Sequence, residues 1–194
     1  MNLPNKLTVL RLILIPFFLL LMVLPLNWGT VSWWGSSIPV AELIAAIIFI
    51  GASITDNLDG QIARRQHLVT NFGKFADPLA DKLLVMTAFV LLVEQHVLPG
   101  WAVSIIVWRE LAITGLRLLV VEQNGQVMAA QMPGKIKTTT QLIAIIFLLL
   151  HNVGFALINV PFGQIMFYIC LVFTVYSGID YIYQARSVFA DGFK

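Results

Sequence analysis

Four aspartates, Asp56, Asp59, Asp77 and Asp81, fall in one short stretch together with Gly60 and Gly73. Asp56 and Asp59 are three residues apart and Gly60 is four from Asp56, so on a helix they share a face that Ala63 continues. Asp77 and Asp81 are four apart and share a face in the same way. Two such helices packed side by side would bring four carboxylates together. That cluster cannot stay ionised alone, because neighbouring carboxylates raise each other's pKa values. Arg64 or Lys82 would offset part of the charge, whereas a pair of divalent cations would offset all of it. All-oxygen ligands favour Mg²⁺ or Mn²⁺ over zinc. Two ions about 3.5–4 Å apart form a clamp suited to phosphoryl chemistry.

Each residue has a plainer reading when taken singly. Asp77-Pro78 reads as the cap and first-turn proline of a helix. Asp59-Gly60 reads as a turn, and Gly60, Ala63 and Gly73 permit close helix packing as well as leaving room for a ligand. None of these readings covers all four acids.

The elements that must hold these acids are apolar. Hydrophobic residues make up 59% of the 194 positions and charged residues 11%, with mean hydropathy +0.87. Soluble domains are roughly 45–50% apolar and about 25% charged, so the composition predicts an integral membrane protein. A spanning helix needs about 20 mostly apolar residues. Six stretches qualify: 7–26, 38–62, 78–97, 101–121, 137–158 and 161–183. The first is too long for a signal-peptide core and lacks a cleavage site, which makes it a retained span. The fold class expected is all-α, a single domain over 1–194 with six transmembrane helices. A short interfacial helix over 2–11, with Leu3, Leu7 and Leu10 on one side, would lead into the first span.

Lys6, Arg11, Arg64, Arg65, Lys74, Lys82, Lys135, Lys137, Arg186 and Lys194 fall on one side of a six-span arrangement, which marks that side as cytoplasmic. Both termini and the acidic motif then lie at the inner face. Trp28, Trp33, Trp34 and Trp101 gather at the other face, as an interfacial aromatic belt does. The lone Cys170 excludes an intrachain disulfide and a Cys-based metal site. His67, His96 and His151 read as solvated or satisfied histidines. The net charge of +2 is small and gives no reason to expect a nucleic-acid partner.

The full spacing from Asp56 to Asp81, D-x2-D-G-x2-A-R-x8-G-x3-D-x3-D, resembles the signature of the CDP-alcohol phosphatidyltransferase family of six-span membrane enzymes. The resemblance implies that the chain joins an alcohol to the phosphatidyl group of CDP-diacylglycerol and releases CMP. It also implies that Asp56, Asp59, Asp77 and Asp81 bind two metal ions and that Asp81 doubles as general base. Gly60, Ala63, Arg64 and Gly73 would line the nucleotide site. Asn5, Thr8, Arg11 and Thr70 are further candidates for contact with CDP-diacylglycerol, against a plainer role in interfacial anchoring. A homodimer in a bacterial cytoplasmic membrane is implied as well.

The motif leaves the acceptor open. Arg109 lies near the middle of the fourth span and Arg117 two turns further on. An intramembrane arginine is costly unless it faces a partner or a wet cavity. Adjacent Glu110 does not face Arg109 on a helix, so a bound anion is the expected partner. Lys135 and Lys137 would complete a phosphate pocket with Arg109 and Arg117, although lysines at a bilayer edge need no special role. The segments around Pro4–Arg11, Arg109–Arg117 and Gly134–Thr138 resemble family members that use sn-glycerol 3-phosphate. Inositol phosphate, serine or phosphatidylglycerol are the rival acceptors. From a different class, an acidic cluster in a membrane would suit a divalent-metal transporter, but no internal repeat of the kind many transporters carry is present.

Overall fold

The computed structural model describes residues 3–65, 71–122 and 132–184, without the side chains of 3–4, 57–65, 71–75, 77–78 and 118–122. Six α-helices occur among the described residues: α1 Leu3–Val23, α2 Val40–Arg65, α3 Asn71–Glu94, α4 Gly100–Glu122, α5 Met132–Leu149 and α6 Phe162–Gln184. The all-α expectation holds for the body of the protein. Two stretches, Asn5–Val23 and Phe162–Gln184, are long and apolar enough to cross a membrane. At about 1.5 Å rise per residue, α1 is roughly 32 Å long, close to the ~30 Å of a hydrocarbon core.

The expected interfacial helix over 2–11 is not separate, because α1 runs unbroken from Leu3 to Val23. Pro16 lies inside it without breaking it, since apolar helices tolerate proline when neighbours satisfy the freed carbonyl. The polar Thr8 and Arg11 that suggested a water-facing side are buried instead, at 0% and 1% exposure. Asp59-Gly60 does not turn, because α2 continues to Arg65. Asp77-Pro78 does not open a helix either. α3 begins at Asn71, and the segment before the proline is already helical.

The fifth expected span, 137–158, is too long at its far end. α5 stops at Leu149, after which His151, Asn152 and Gly154 take φ of 52°, 56° and 81° and carry the chain out of the helix. Asn152 Oδ1 then accepts the Gly163 N–H at 2.6 Å, satisfying a donor in the first turn of α6. A short 3₁₀ turn, Ala156–Ile158, completes the connection.

Helix α5 packs most extensively on α6, α4 packs on α6, and α1 lies along both α2 and α3. The core runs through Phe18, Phe49, Phe89 and Phe167, with ring centroids 6.1 Å apart for Phe18–Phe49 and 5.8 Å for Phe89–Phe167. Cys170 is buried in it as a free thiol.

At the far end of the molecule from the acidic motif, an unforeseen hairpin pairs β1 Thr30–Trp33 with β2 Ser36–Pro39. Its two-residue turn, Trp34-Gly35, has φ of 41° and 82°, the doubly positive pattern of a type I′ turn. Ser36 Oγ donates to the His151 carbonyl at 2.8 Å, and the Gly154 N–H donates to the Trp34 carbonyl at 3.2 Å. The hairpin is thereby docked on the α5–α6 connection. A Cβ at Gly35 would stand 2.7 Å from Leu157 Cδ2. Gly35→Val is therefore expected to cost about 1–3 kcal/mol, read as a lower Tm in detergent with unchanged helix content.

His151 meets Glu42 at 2.6 Å across this end. The hydrogen bond to Glu42, and its charge, raise the histidine pKa above the ordinary value despite partial burial. A raised pKa means the pair stabilises the fold fully below the ordinary histidine pKa, and the contribution disappears as pH rises through the elevated value. The Tm difference between the protein and its Glu42→Gln variant should accordingly be larger at pH 6 than at pH 9.

Candidate functional site

The site grows from three helices that carry polar groups into the apolar bundle. Asp56 lies on α2, and its Oδ1 meets Arg11 of α1 at 2.6 Å. Asp81 lies on α3, within electrostatic range of Arg11, Lys137, Glu110 and Lys82. Arg11 thus stands between the two acidic helices. A guanidinium at 1% exposure is tolerable only where carboxylates surround it. Continuous helix through 56–60 and through 77–81 puts each aspartate pair on one face of its helix.

The remaining acids and small residues of the motif are only partly within view. The side chains at Asp59, Gly60, Ala63, Arg64, Gly73 and Asp77 lie outside the described residues, as does Thr70 entirely. Among the described residues no three His, Cys, Asp or Glu side chains gather at metal-binding distance. The donors that are described, the carboxylates of Asp56 and Asp81, are hard oxygen ligands and fit Mg²⁺ or Mn²⁺. Asn5 lies on α1 half-buried, and Thr8 is fully buried one turn before Arg11.

Next to Asp81 a second group of charges forms around Glu110 of α4. Glu110 Oε1 accepts from Lys137 Nζ of α5 at 2.5 Å and from Arg109 NH1 at 3.1 Å. Arg109 NH2 also donates to Ser177 Oγ of α6 at 3.0 Å. The expectation that Arg109 cannot reach Glu110 is therefore wrong. Their Cβ atoms diverge on the helix, but both side chains are long enough to fold back to a shared point fixed by Lys137. Lys137, expected either in a phosphate pocket or at the bilayer edge, is 4% exposed inside the bundle.

Lys82 of α3 donates to Thr114 Oγ1, which donates to the Glu110 carbonyl at 2.6 Å. Arg117 is exposed, its guanidinium carbon 5.7 Å from the centre of the Tyr181 ring. Lys135 is exposed too. The four basic residues predicted to form one pocket therefore divide into a paired set, half-buried Arg109 and buried Lys137, and an open set, Arg117 and Lys135.

Between α3, α4 and α5 lies a cavity of about 50 Å³, walled by Asp81, Lys82, Glu110, Lys137 and Gln141 above an apolar floor that includes Phe89 and Ile106. Glu110 and Gln141 were not singled out from the sequence. The signal was present for Glu110, an acid in the middle of an apolar run.

An apolar helical bundle carrying a paired-aspartate motif beside a cavity lined by two acids and two lysines defines a membrane protein with a charged interior. The profile of the CDP-alcohol phosphatidyltransferase family matches residues 1–176, and the chain belongs to that family. It is 52% identical over 180 residues, 93% of each chain, to CDP-diacylglycerol–glycerol-3-phosphate 3-phosphatidyltransferase of Bacillus subtilis (strain 168). It is 37% identical over 198 residues to the protein of that name from Escherichia coli (strain K12), and 36% over 196 residues to that from Shigella flexneri serotype 5b (strain 8401), covering 98% of each chain. The chain is a transferase of phospholipid biosynthesis.

Proposed function

We propose that the chain transfers the phosphatidyl group of CDP-diacylglycerol to the 1-hydroxyl of sn-glycerol 3-phosphate, giving phosphatidylglycerophosphate and CMP. The observation that carries this reading is the 52% identity to the Bacillus subtilis enzyme over 93% of both chains. The unbroken Asp56–Asp81 motif and the two lysines, Lys82 and Lys137, in the cavity beside Asp81 support it.

In this reading the six helices are six spans. Both termini and the acids sit at the inner face of a bacterial cytoplasmic membrane, and the protein works as a homodimer. The one-sided placement of Lys and Arg supports the orientation. Asp56, Asp59, Asp77 and Asp81 hold two Mg²⁺ or Mn²⁺ ions, which when bound would polarise the pyrophosphate and stabilise the departing CMP. Gly60, Ala63, Arg64 and Gly73, with Asn5, Thr8, Arg11 and Thr70, serve the CDP-diacylglycerol side. Asp81 takes the proton from the attacking hydroxyl, a role that depends on close positioning.

Lys137, with N–H donors beyond the one that Glu110 accepts, faces the acceptor phosphate together with Lys82. Arg117 and Lys135 draw the anion in from the water side. Arg109 acts through Glu110 in this pocket, because its described hydrogen bonds go to Glu110 and Ser177.

The decisive experiment is CMP release by the protein purified in detergent, with Mg²⁺ and CDP-diacylglycerol. Release should require sn-glycerol 3-phosphate and should not follow addition of inositol phosphate, serine or phosphatidylglycerol. Release with one of those three alone would overturn the acceptor. No release with any of them would overturn the reading as a whole.

A further inference from the structure

The cavity beside Asp81 contains a polar atom that the reaction as derived so far does not use. Gln141 of α5 is 3% exposed, and its Oε1 is buried with no hydrogen-bond partner. A buried amide oxygen left unpaired costs about 1–3 kcal/mol, so native proteins rarely leave one without water or ligand. Gln141 lines the same cavity as Asp81, Lys82, Glu110 and Lys137, and lies one helical turn from Lys137 on the same face of α5.

The chemistry of this wall is graded. Lys137 and Lys82 offer cations suited to a phosphate, and Asp81 offers a carboxylate suited to a reacting hydroxyl. Gln141 Oε1 offers a neutral acceptor, which pairs with a hydroxyl that stays unreacted. The cavity is about 50 Å³. That is room for a few water-sized groups. Phe89, Ile106 and Leu142 close it with apolar surface, where an unmet hydroxyl or amide is penalised most.

We infer that Gln141 is a specificity-determining residue: its side-chain oxygen accepts a hydrogen bond from the secondary hydroxyl of a phosphorylated three-carbon acceptor held beside Asp81. This inference rests on the proposed acceptor class and adds the group that recognises the second hydroxyl. Lys137 is placed for the task by Glu110, whose carboxylate holds it 2.5 Å away.

The test compares sn-glycerol 3-phosphate with propane-1,3-diol monophosphate, which lacks only the secondary hydroxyl. The unaltered protein should use the deoxy compound about 10- to 100-fold less efficiently in kcat/KM. Gln141→Leu should lower kcat/KM for glycerol 3-phosphate by a similar factor, chiefly through KM, and leave the deoxy compound within threefold, so that discrimination collapses. Gln141→Glu, which keeps an oxygen acceptor, should retain more of the discrimination than Gln141→Leu.

Equal use of both acceptors by the unaltered protein would overturn the inference without recourse to any variant. So would equal losses on both acceptors in Gln141→Leu, the sign of a purely structural residue. Failure of the unaltered protein to release CMP with glycerol 3-phosphate would instead strike the proposed function itself.

Discussion

Asp81→Asn should reduce acceptor-dependent CMP release by about 10³-fold or more, while the protein still purifies as a folded particle. In the proposed reaction Asp81 is the general base, and general-base catalysis alone contributes about 10²–10⁴-fold; loss of a proposed metal ligand would add to that. The substitution keeps shape and removes charge. Its neighbours include Lys137, whose carboxylate partner Glu110 is untouched, so the local charge balance survives well enough for folding. Asp56→Asn would be a less clean probe. Asp56 meets the fully buried Arg11 at 2.6 Å, and its neutralisation would mix lost stability with lost chemistry. The check is a pair of measurements on Asp81→Asn, CMP release and Tm in the same detergent. A Tm within a few degrees of the parent with activity retained to within tenfold would remove Asp81 from the reaction.

Glu110→Gln should be the most destabilising single substitution in the polar network. Lys137 at 4% and Arg109 at 16% exposure both place a nitrogen on Glu110 Oε1. Neutralising that carboxylate leaves buried Lys137 and half-buried Arg109 close together, with the more distant Asp81 the remaining carboxylate near Lys137 among the described residues. Removing one partner of a buried ion pair costs about 3–5 kcal/mol, which corresponds to a Tm lower by roughly 10 °C for a chain of this size. Adding Lys137→Gln to Glu110→Gln should recover part of the loss, because the second change removes the stranded charge. Additive losses in the double variant would mean that the 2.5 Å contact carries no net coupling.

Spacing made the acidic cluster legible, and its resemblance to a family motif implied the reaction. The helical periods that join Asp56 to Asp59 and Asp77 to Asp81 survive in continuous helices. The four acids stand in the part of the chain that the family shares. Elements with long apolar runs lie within about five residues of their expected bounds, apart from the start of α3, seven residues earlier than expected, and the far end of α5. There the turn at His151–Gly154 depends on left-handed backbone that apolar composition does not reveal.

The polar interior was harder to read. For Arg11 and Lys137 the sequence leaves a ligand role and a place at the membrane surface both open, because burial of a cation depends on partners distant in sequence, 45 residues away for Arg11–Asp56 and 27 for Lys137–Glu110. Arg109 and Glu110 were separated by a rule about Cβ directions, which long side chains converging on a common lysine do not obey. The hairpin was missed because its turn, Trp34-Gly35, lacks the Asn-Gly or Asp-Gly pair that usually marks one.

Arg11 also constrains the order in which the protein is assembled. It lies within α1, and the carboxylate it meets is made 45 residues later. At about 5–20 residues per second of synthesis, that leaves an interval of a few seconds. During it, the arginine within apolar α1 lacks the carboxylate that it meets in the folded protein. The Arg11–Asp56 pair therefore closes only once α2 has been made, so the helix carrying the first acids completes the charge balance of its predecessor.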